Sequence, residues 1–476
     1  MNTEKAKGPG KVAKAGAGYV IGNYLLKGIT FLSAPIFTRL LTTADFGLYS
    51  TYTAYWSIFY IILGLALHSS IATAKYKYSG KLESFISSII LLMLFSTCVW
   101  TVLGNLFFKA FEEWFGFDRV ILNCLILHSL GDALIQVFTS YVSLNYSVKT
   151  FFKMSAFNAI FNLLGSIVLI ITVFSEERYI GRIIGSFIPM GTIGLFIIIY
   201  FFRKARPKYN GEYWKFSLKY SLPIIPHGIA QVILGTFDRI MIKNMVSPDA
   251  AGLYSFAYTV STLFTVASAS LDKVWRPWGY EKMHEKDYEA MKDRANKYAF
   301  GMAVFAAMII MVSPEIIKVL GDRDYWESTS CVIPVIIGAY FIFLYSLPAL
   351  VEFVHEKTGF IAIGSVSAAV INIILNYIFI PIFGYVAAAY TTMITYGMSC
   401  IFHYIIAVKV QGFSIYDTKK LIIISLMLGL LGGCALLLEN QWYIRWLLEI
   451  LLIIGAYFWA DRNFGVRDFI RKKLNR

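Results

Sequence analysis

Long apolar segments recur along almost the whole chain, and short polar stretches separate them. A helix needs about 20 apolar residues to cross the hydrocarbon core of a bilayer, and each segment is long enough. The pattern predicts an all-α polytopic membrane protein with fourteen helices. The predicted spans lie near residues 17–38, 46–67, 84–108, 119–144, 154–175, 179–202, 217–243, 250–272, 297–319, 329–352, 359–383, 385–408, 419–438 and 442–460.

Composition agrees with this pattern and excludes a soluble protein. Of the 476 residues, 58% are hydrophobic and 15% are charged, whereas soluble domains carry about 25% charged residues. The five cysteines are scattered without CxxC spacing, so we expect them to pack as small apolar residues. The sequence contains no P-loop, GxSxG or HExxH motif. We therefore expect no ATP hydrolysis, no metal and no other cofactor.

Basic residues are concentrated in alternate loops. If the N-terminus is cytoplasmic, most of the 43 Lys and Arg residues fall on the cytoplasmic side, including the basic C-terminal tail. Because cytoplasmic loops are enriched in Lys and Arg, we predict two cytoplasmic termini and an inner or plasma membrane location. The net charge of +14 then reflects topology, and no nucleic acid partner is expected.

Two segments depart from a simple series of spans. Residues 273–297 are rich in charge and contain Trp275 and Trp278, a pattern that predicts an amphipathic helix on the cytoplasmic membrane surface. At the start of the seventh span, Pro223 and Pro226 predict unwinding or a bend, because proline removes a backbone donor.

An internal repeat relates the two halves of the chain. The segment RLLTTADFGLYSTY at 39–52 corresponds to NMVSPDAAGLYSFA at 244–257, and GLYS is identical in both. Six predicted helices separate the copies, so the repeat is parallel and typical of transporters whose halves rock about a central site. The predicted organisation is an N-terminal six-helix bundle (1–203), a basic cytoplasmic linker (204–216), a C-terminal six-helix bundle (217–409) and two additional helices with a basic tail (410–476).

Three segments resemble a known family. They are FLSAPIFTRLLTTADFGLYS at 31–50, FDRIMIKNMVSPDAAGLYSFAY at 237–258 and LNYIFIPIFGYVAAAYTTMITYG at 375–397. They resemble the polysaccharide-unit (O-antigen/capsular type) flippases of the multidrug/oligosaccharidyl-lipid/polysaccharide exporter superfamily. The resemblance implies two six-helix bundles around a V-shaped cavity. It also implies movement of undecaprenyl-diphosphate-linked oligosaccharides from the cytoplasmic to the outer leaflet.

Polar residues inside the first and seventh spans are candidates for substrate binding. Lys27 lies deep in the first span, where a cation is costly unless it faces a wet cavity, and it would attract a diphosphate. Helical spacing places several of these residues on one face of each span, and the repeat implies that the two faces oppose each other. The candidates are Asn23, Lys27, Thr30 and Arg39 in the first repeat, and His227, Gln231, Asp238 and Arg239 in the second.

A second group of polar residues lies in the fourth span. His128, Asp132 and Gln136 share one helical face. A carboxylate one turn from a histidine can exchange protons, so these residues are candidates for coupling transport to H⁺ or Na⁺. A hydrogen-bonded pair with a purely structural role explains the same spacing.

Several functions stay open alongside the flippase. They are a multidrug/cation antiporter of the same superfamily, a lipid-linked peptidoglycan-precursor flippase, and an integral-membrane polysaccharide polymerase or acyltransferase. The expected partners are a lipid-linked oligosaccharide and membrane lipids, with H⁺ or Na⁺ as coupling ions. The polysaccharide polymerase and chain-length machinery are candidate protein partners. The protein is not expected to be an enzyme.

Overall fold

The architecture is known from a computed structural model, which describes residues 28–29, 31–145, 147–465 and 467. All regular secondary structure in these residues is helical, and they contain no β-strand. The prediction of an all-α protein is therefore confirmed. The chain divides into two compact units, Met1–Gly252 and Leu253–Arg476.

The first unit is built around two long helices, α6 (Arg119–Leu144) and α8 (Arg178–Lys204). Side chains of both helices belong to both of its large apolar clusters. Its described helices are α1 (31–40), α2 (Thr43–Gly64), α3 (Ile71–Lys77), α4 (Leu82–Leu106), α5 (Phe108–Phe115), α6 (Arg119–Leu144), α7 (Val148–Thr172), α8 (Arg178–Lys204), α9 (Gly211–Ser221) and α10 (Ile225–Met245). The first turn of the next helix also belongs to this unit.

The second unit contains the remaining long helices. They are α11 (Pro248–Glu285), α12 (Tyr288–Leu320), α13 (Thr329–Val354), α14 (Thr358–Phe383), α15 (Tyr385–Gln411), α16 (Thr418–Leu437) and α17 (Trp442–Phe464). α13 is the most deeply buried candidate span and packs against α12, α14 and α15.

The number and position of the spans agree with the sequence-based prediction. Eleven described helices are individually long and apolar enough to cross a membrane, and the bent pair of α2 and α3 makes twelve. α1 and α10 occupy the two remaining predicted positions. α7, α16 and α17 expose most of their apolar side chains, and lipid tails suit such surfaces because these helices satisfy their own backbone groups. The chain is a multi-span helical membrane protein.

Two spans are interrupted near the ends that are predicted to face the cytoplasm. α2 stops at Leu65 and Ala66, which have φ values of 49° and 48°, and the chain continues into α3 at an angle of 52°. Neither residue is glycine or proline, so the hydrophobic pattern contained no signal for this bend. The predicted break near Pro223 and Pro226 is confirmed, because a 3₁₀ turn at Leu222–Ile224 separates α9 from α10.

The segment 273–297, predicted as an amphipathic surface helix, is helical but does not form a helix of its own. The segment instead extends α11 and α12 beyond their apolar parts, since continuing an existing helix avoids the cost of nucleating a new one. The two helices separate at Lys286, which has φ 59°. Asp287 then caps α12 by accepting a hydrogen bond from the backbone N–H of Ala290 at 3.2 Å. That bond, together with Lys282, holds the pKa of Asp287 below its usual range.

The two GLYS segments meet within the first unit through their glycines. A Cβ on Gly47 would overlap the carbonyl oxygen of Pro248 and lie 2.8 Å from the backbone nitrogen of Gly252. A Cβ on Gly252 would overlap the carbonyl oxygen of Thr43. The same 205-residue offset relates Thr43 to Pro248 and Gly47 to Gly252, so the contact is pseudo-symmetric. Backbone contact at this crossing explains why both copies carry glycine.

The first unit also includes α10, which the repeat assigns to the second half of the chain. α10 packs against α2, and this contact places it with the N-terminal helices. The division of the chain at 204–216 stays a prediction.

Candidate functional site

The first unit encloses a cavity of about 400 Å³, within the range of roughly 300–1,000 Å³ typical of ligand pockets. Its walls come from the start of the chain's described part and from α1, α2, α6, α7 and α8. Apolar side chains predominate, and the polar lining residues include Ser33, Ser155, Asn158, Asn162 and Arg182. The described lining contains no aspartate or glutamate.

Arg182 of α8 is the charged group of this cavity. Its Nη1 donates hydrogen bonds to Oδ1 of Asn162 at 2.5 Å and to Oγ of Ser166 at 2.7 Å. The guanidinium carbon lies 4.0 Å from the ring centroid of Phe37 and 4.5 Å from that of Tyr49. Both distances fall within the range of cation–π attraction. Tyr49 is the tyrosine of the first GLYS segment, so the repeat motif contributes directly to the cavity wall.

Close packing of α7 against α8 brings Arg182 to its partners. Arg182 lies between Gly181 and Gly185, and residues 181–185 form a GxxxG sequence. A Cβ on Gly181 would lie 3.0 Å from the backbone nitrogen of Ile170, and one on Gly185 would overlap Ser166. Small residues at this spacing let membrane helices approach through their backbones. The two glycines therefore determine how near Arg182 comes to α7.

The cation of Arg182 has no carboxylate partner among the residues that the structure describes. A charged side chain within a membrane span is costly, and the hydrogen bonds to Asn162 and Ser166 stabilise the guanidinium without neutralising its charge. Nearby, the side-chain oxygen Oδ1 of Asn158 is buried without a hydrogen-bond partner. The arrangement suits an anion at Arg182 with a hydroxyl-bearing group beside it.

The structure describes only some of the residues that were predicted in the first repeat. Asn23, Lys27 and Thr30 lie outside the described residues, so their assignment stays a prediction. Ser33 of α1 does line the cavity. Arg39 is exposed and donates from Nη1 to the carbonyl oxygen of Pro35 at 2.7 Å, away from the cavity lining.

The predicted residues of the second repeat lie on α10 and do not line this cavity. Asp238 is fully buried, whereas Gln231 on the same face is exposed. Nδ1 of His227 is buried and has no hydrogen-bond partner in the described structure. Arg239 folds back to donate to the carbonyl oxygen of Gly235 at 2.9 Å. The buried Asp238 and unpartnered His227 keep this face a candidate for substrate contact.

The coupling candidates on α6 are His128, Asp132 and Gln136, and the histidine has a different partner from the aspartate. Nδ1 of His128 lies 3.0 Å from the hydroxyl of Tyr52, and the imidazole stacks on Trp56 at 4.1 Å. Asp132 instead accepts a hydrogen bond from Nε2 of Gln136 at 3.2 Å. The described conformation therefore contains no direct His128–Asp132 hydrogen bond, and His128 belongs to a buried aromatic cluster.

Arg182 was not among the residues that the sequence singled out. Its signal was an arginine between two glycines, the one charged residue of the predicted span 179–202. Position within a helix does not reveal which neighbour the side chain faces, so the pattern alone did not distinguish it from an interfacial arginine.

Comparison with known proteins identifies the family. The family model described as polysaccharide biosynthesis protein matches residues 12–279, more than half of the chain. The Lsg locus putative protein 1 of Haemophilus influenzae is 23% identical over 377 residues, which cover 72% of this chain and 87% of that protein.

Solved structures show the same fold. The lipid II flippase MurJ in an inward closed conformation has a TM-score of 0.70 and 17% identity, and the match covers 94% of this chain and 99% of that chain. A multidrug resistance MATE family transporter in an inward-facing conformation has a TM-score of 0.64 and 13% identity, with 81% and 94% covered. The resemblance read from the sequence is confirmed. The chain belongs to the polysaccharide biosynthesis protein family.

Proposed function

We propose that the protein flips undecaprenyl-diphosphate-linked oligosaccharide units from the cytoplasmic to the outer leaflet, by alternating access, for polysaccharide biosynthesis. The observation that carries the proposal is the cavity of the first unit, in which Arg182 presents a cation without a carboxylate partner in the described structure. The family of the chain supports the polysaccharide context.

The chemistry of such a substrate matches the cavity. A lipid-linked oligosaccharide has a hydrated head and an anionic diphosphate, and neither crosses hydrocarbon unaided. The planar guanidinium of Arg182 can bind two phosphate oxygens at once, while the amide oxygen of Asn158 can accept a hydrogen bond from a sugar hydroxyl. Lys27 is proposed as a second cation for the diphosphate, and Asn23 and Thr30 as further substrate-binding residues. The lipid tail stays in the bilayer while the head passes.

The charge of the cavity also separates the flippase from an antiporter with the same fold. A transporter of organic cations needs carboxylates or free aromatic faces. The described lining contains no carboxylate, and its rings of Phe37 and Tyr49 already contact the guanidinium of Arg182. This favours an anionic substrate. A lipid-linked peptidoglycan precursor has the same diphosphate, so Arg182 suits it equally, and the family match favours a polysaccharide unit.

Orientation and partners complete the proposal. We place both termini in the cytoplasm of an inner or plasma membrane protein, because the basic residues concentrate on that side. Energy then comes from H⁺ or Na⁺ movement, from the membrane potential, or from consumption of the product by a polysaccharide polymerase with its chain-length machinery. Cysteine labelling at Lys286 should report the inside and at Asn440 the outside, and the reverse result would contradict this orientation.

The proposed function is tested in cells that depend on this protein for a surface polysaccharide. Depletion of the protein should stop export and make the lipid-linked unit accumulate on the cytoplasmic leaflet, where an externally added glycosidase does not reach it. Restored expression should clear the accumulated unit. Unchanged export with increased sensitivity to organic cations would favour an antiporter, and a block in peptidoglycan synthesis alone would favour a peptidoglycan-precursor flippase. Accumulation of single units already on the outer leaflet would favour a polymerase.

A further inference from the structure

A buried acid–base pair joins two helices of the second unit. Nδ1 of His403, on α15, lies 2.7 Å from Oε1 of Glu352, on α13. The side chain of Glu352 is 0% exposed and that of His403 is 1% exposed. Ionisable groups within membrane helices are costly, and those that are retained commonly serve ion pathways or proton relays.

The surroundings hold the imidazole in place and leave the carboxyl group partly unsatisfied. The ring of Tyr345 lies 4.6 Å from that of His403. On the other helix packed here, a Cβ on Gly364 would lie 2.5 Å from Nε2 of His403, so α14 passes directly over the imidazole. Oε2 of Glu352 is buried without a hydrogen-bond partner in the described structure. The hydrogen bond to His403 therefore satisfies only one of the two carboxyl oxygens of Glu352.

Further charged groups approach the pair from α11. Asp272 and Arg276 form an ion pair at 2.7 Å, and Tyr345 lies within electrostatic range of both and of Glu352. Oδ1 of Asp272 is also buried without a hydrogen-bond partner in the described structure. The charged and titratable groups near the pair thus include Tyr345, which contacts His403, and the Asp272–Arg276 ion pair near Tyr345.

The number of protons on the pair determines its net charge. With one proton, Glu352 and His403 are together neutral, whether that proton sits on the carboxyl group or on the imidazole. Loss of the proton leaves one uncompensated negative charge in a dry helix interface, which is strongly unfavourable. Deprotonation therefore favours any conformation in which water reaches the pair.

We propose that Glu352 and His403 form a proton-binding site that couples substrate movement to the proton gradient, an inference that rests on the proposed function as a transporter. The site takes up one proton from the aqueous phase on one side of the membrane and holds it while the pair is buried. When the helices rearrange and water enters, the proton leaves to the other side. No covalent bond forms or breaks.

A purely structural pair makes a different prediction. If the hydrogen bond only fastens α13 to α15, glutamine at position 352 keeps an acceptor for His403 and preserves the packing, because it has the same shape as glutamate. If the site binds a coupling proton, the same substitution removes the titratable group. Glu352→Gln therefore separates the two roles.

The experiment uses the full-length protein in liposomes with undecaprenyl diphosphate that carries a fluorescently labelled oligosaccharide. A gradient of one pH unit and one coupled proton supports about a tenfold change in the leaflet ratio of the probe. The wild type should show this change and lose it when a protonophore is added. Glu352→Gln should equilibrate the probe but give a ratio near one with the gradient present. Glu352→Asp, which restores a carboxyl group, should regain a response. The matched control is Glu356→Gln, since Glu356 is an exposed carboxylate on the adjoining turn.

Two results would overturn the proton site: a wild-type response in Glu352→Gln, or a wild-type protein that moves the probe without regard to the gradient. If the wild type does not move the probe at all, the proposed function fails, and thermal unfolding then tests the site independently. The unfolding temperature of the wild type should vary with pH more strongly than that of Glu352→Gln. Identical pH profiles for the two proteins would refute proton binding at the pair.

Discussion

Replacing Arg182 tests whether the cavity of the first unit binds an anion. Arg182→Gln removes the cation and the hydrogen bonds of Nη1 to Asn162 and Ser166, and leaves a shorter, neutral polar side chain. Arg182→Lys keeps the charge but loses the planar fork that binds two phosphate oxygens. We expect both variants to reach the membrane, because Arg182→Lys keeps a charge that the span already accommodates and Arg182→Gln removes the desolvation cost of that charge.

The size of the effect follows from the contacts. A hydrogen bond to a charged group contributes about 1.5–3 kcal/mol, so loss of the guanidinium should weaken substrate binding about 10- to 150-fold. The lysine variant keeps the charge and one of two phosphate contacts, so its loss should lie at the lower end of this range, about tenfold. Arg182→Gln is therefore expected to be the more defective variant.

The assay measures the rate of flipping against the concentration of lipid-linked oligosaccharide in liposomes with matched protein content. Arg178→Gln is the control, since Arg178 lies one turn earlier on α8 and bonds to the carbonyl oxygens of Ser175 and Leu40 outside the cavity lining. It makes the same charge change. If Arg182→Gln shows the concentration dependence of the wild type, Arg182 does not bind the substrate and the anion-site argument fails.

Three further substitutions test other parts of the account. Lys27→Ala should abolish polysaccharide export while Lys27→Arg keeps part of it, as measured by surface polysaccharide at equal protein level; full export from the alanine variant removes Lys27 from the mechanism. Asp132→Asn should preserve expression but lower the flipping rate, and an unchanged rate and pH profile would leave the α6 residues with a structural role. Gly185→Ala should destabilise the protein by about 1–3 kcal/mol through overpacking against Ser166, lowering the unfolding temperature. Gly191→Ala is its control, because the added Cβ would meet only the Phe187 side chain at 3.5 Å; equal stability of the two variants would contradict the close α7–α8 contact.

Helix positions were predictable from the sequence where a long apolar segment is bounded by polar residues. The span predicted at 119–144 is helix α6, Arg119–Leu144. Its start is sharp because Asp118 precedes the apolar run and accepts a hydrogen bond from the backbone N–H of Ile121 at 2.7 Å. The length of an apolar segment and the capping of a helix depend on neighbouring residues, so both can be predicted from the sequence.

Features that depend on tertiary packing were not readable in the same way. The bend at Leu65 and Ala66 involves two residues with ordinary helical preferences, and left-handed backbone at such positions persists only when the surrounding structure imposes it. The helical extensions of α11 and α12 carry many charges, and a charged stretch outside the bilayer is compatible with a loop, a surface helix or a continued span.

The sequence predicted the kind of site, an anion-binding site, but only some of the residues that form it. A cation within an apolar helix indicates an anion site, and Lys27 was the cation that the sequence singled out on this ground. Arg182 meets the same criterion, but its role emerges only when the α7–α8 glycine contact places it beside Asn162. Glu352 and His403 are 51 residues apart, and no sequence pattern connects two single polar residues on separate helices.

The most direct test of the central claim is a flipping assay with the purified full-length protein and three probes in separate liposomes. The probes are undecaprenyl-diphosphate-linked oligosaccharide, a lipid-linked peptidoglycan precursor and a fluorescent organic cation, and the measurement is the rate at which each probe changes leaflet or enters the lumen. We predict rapid movement of the oligosaccharide lipid, slower movement of the peptidoglycan precursor and no protein-dependent uptake of the cation. Uptake of the cation without movement of either lipid would contradict the assignment as a flippase of anionic lipid-linked sugars.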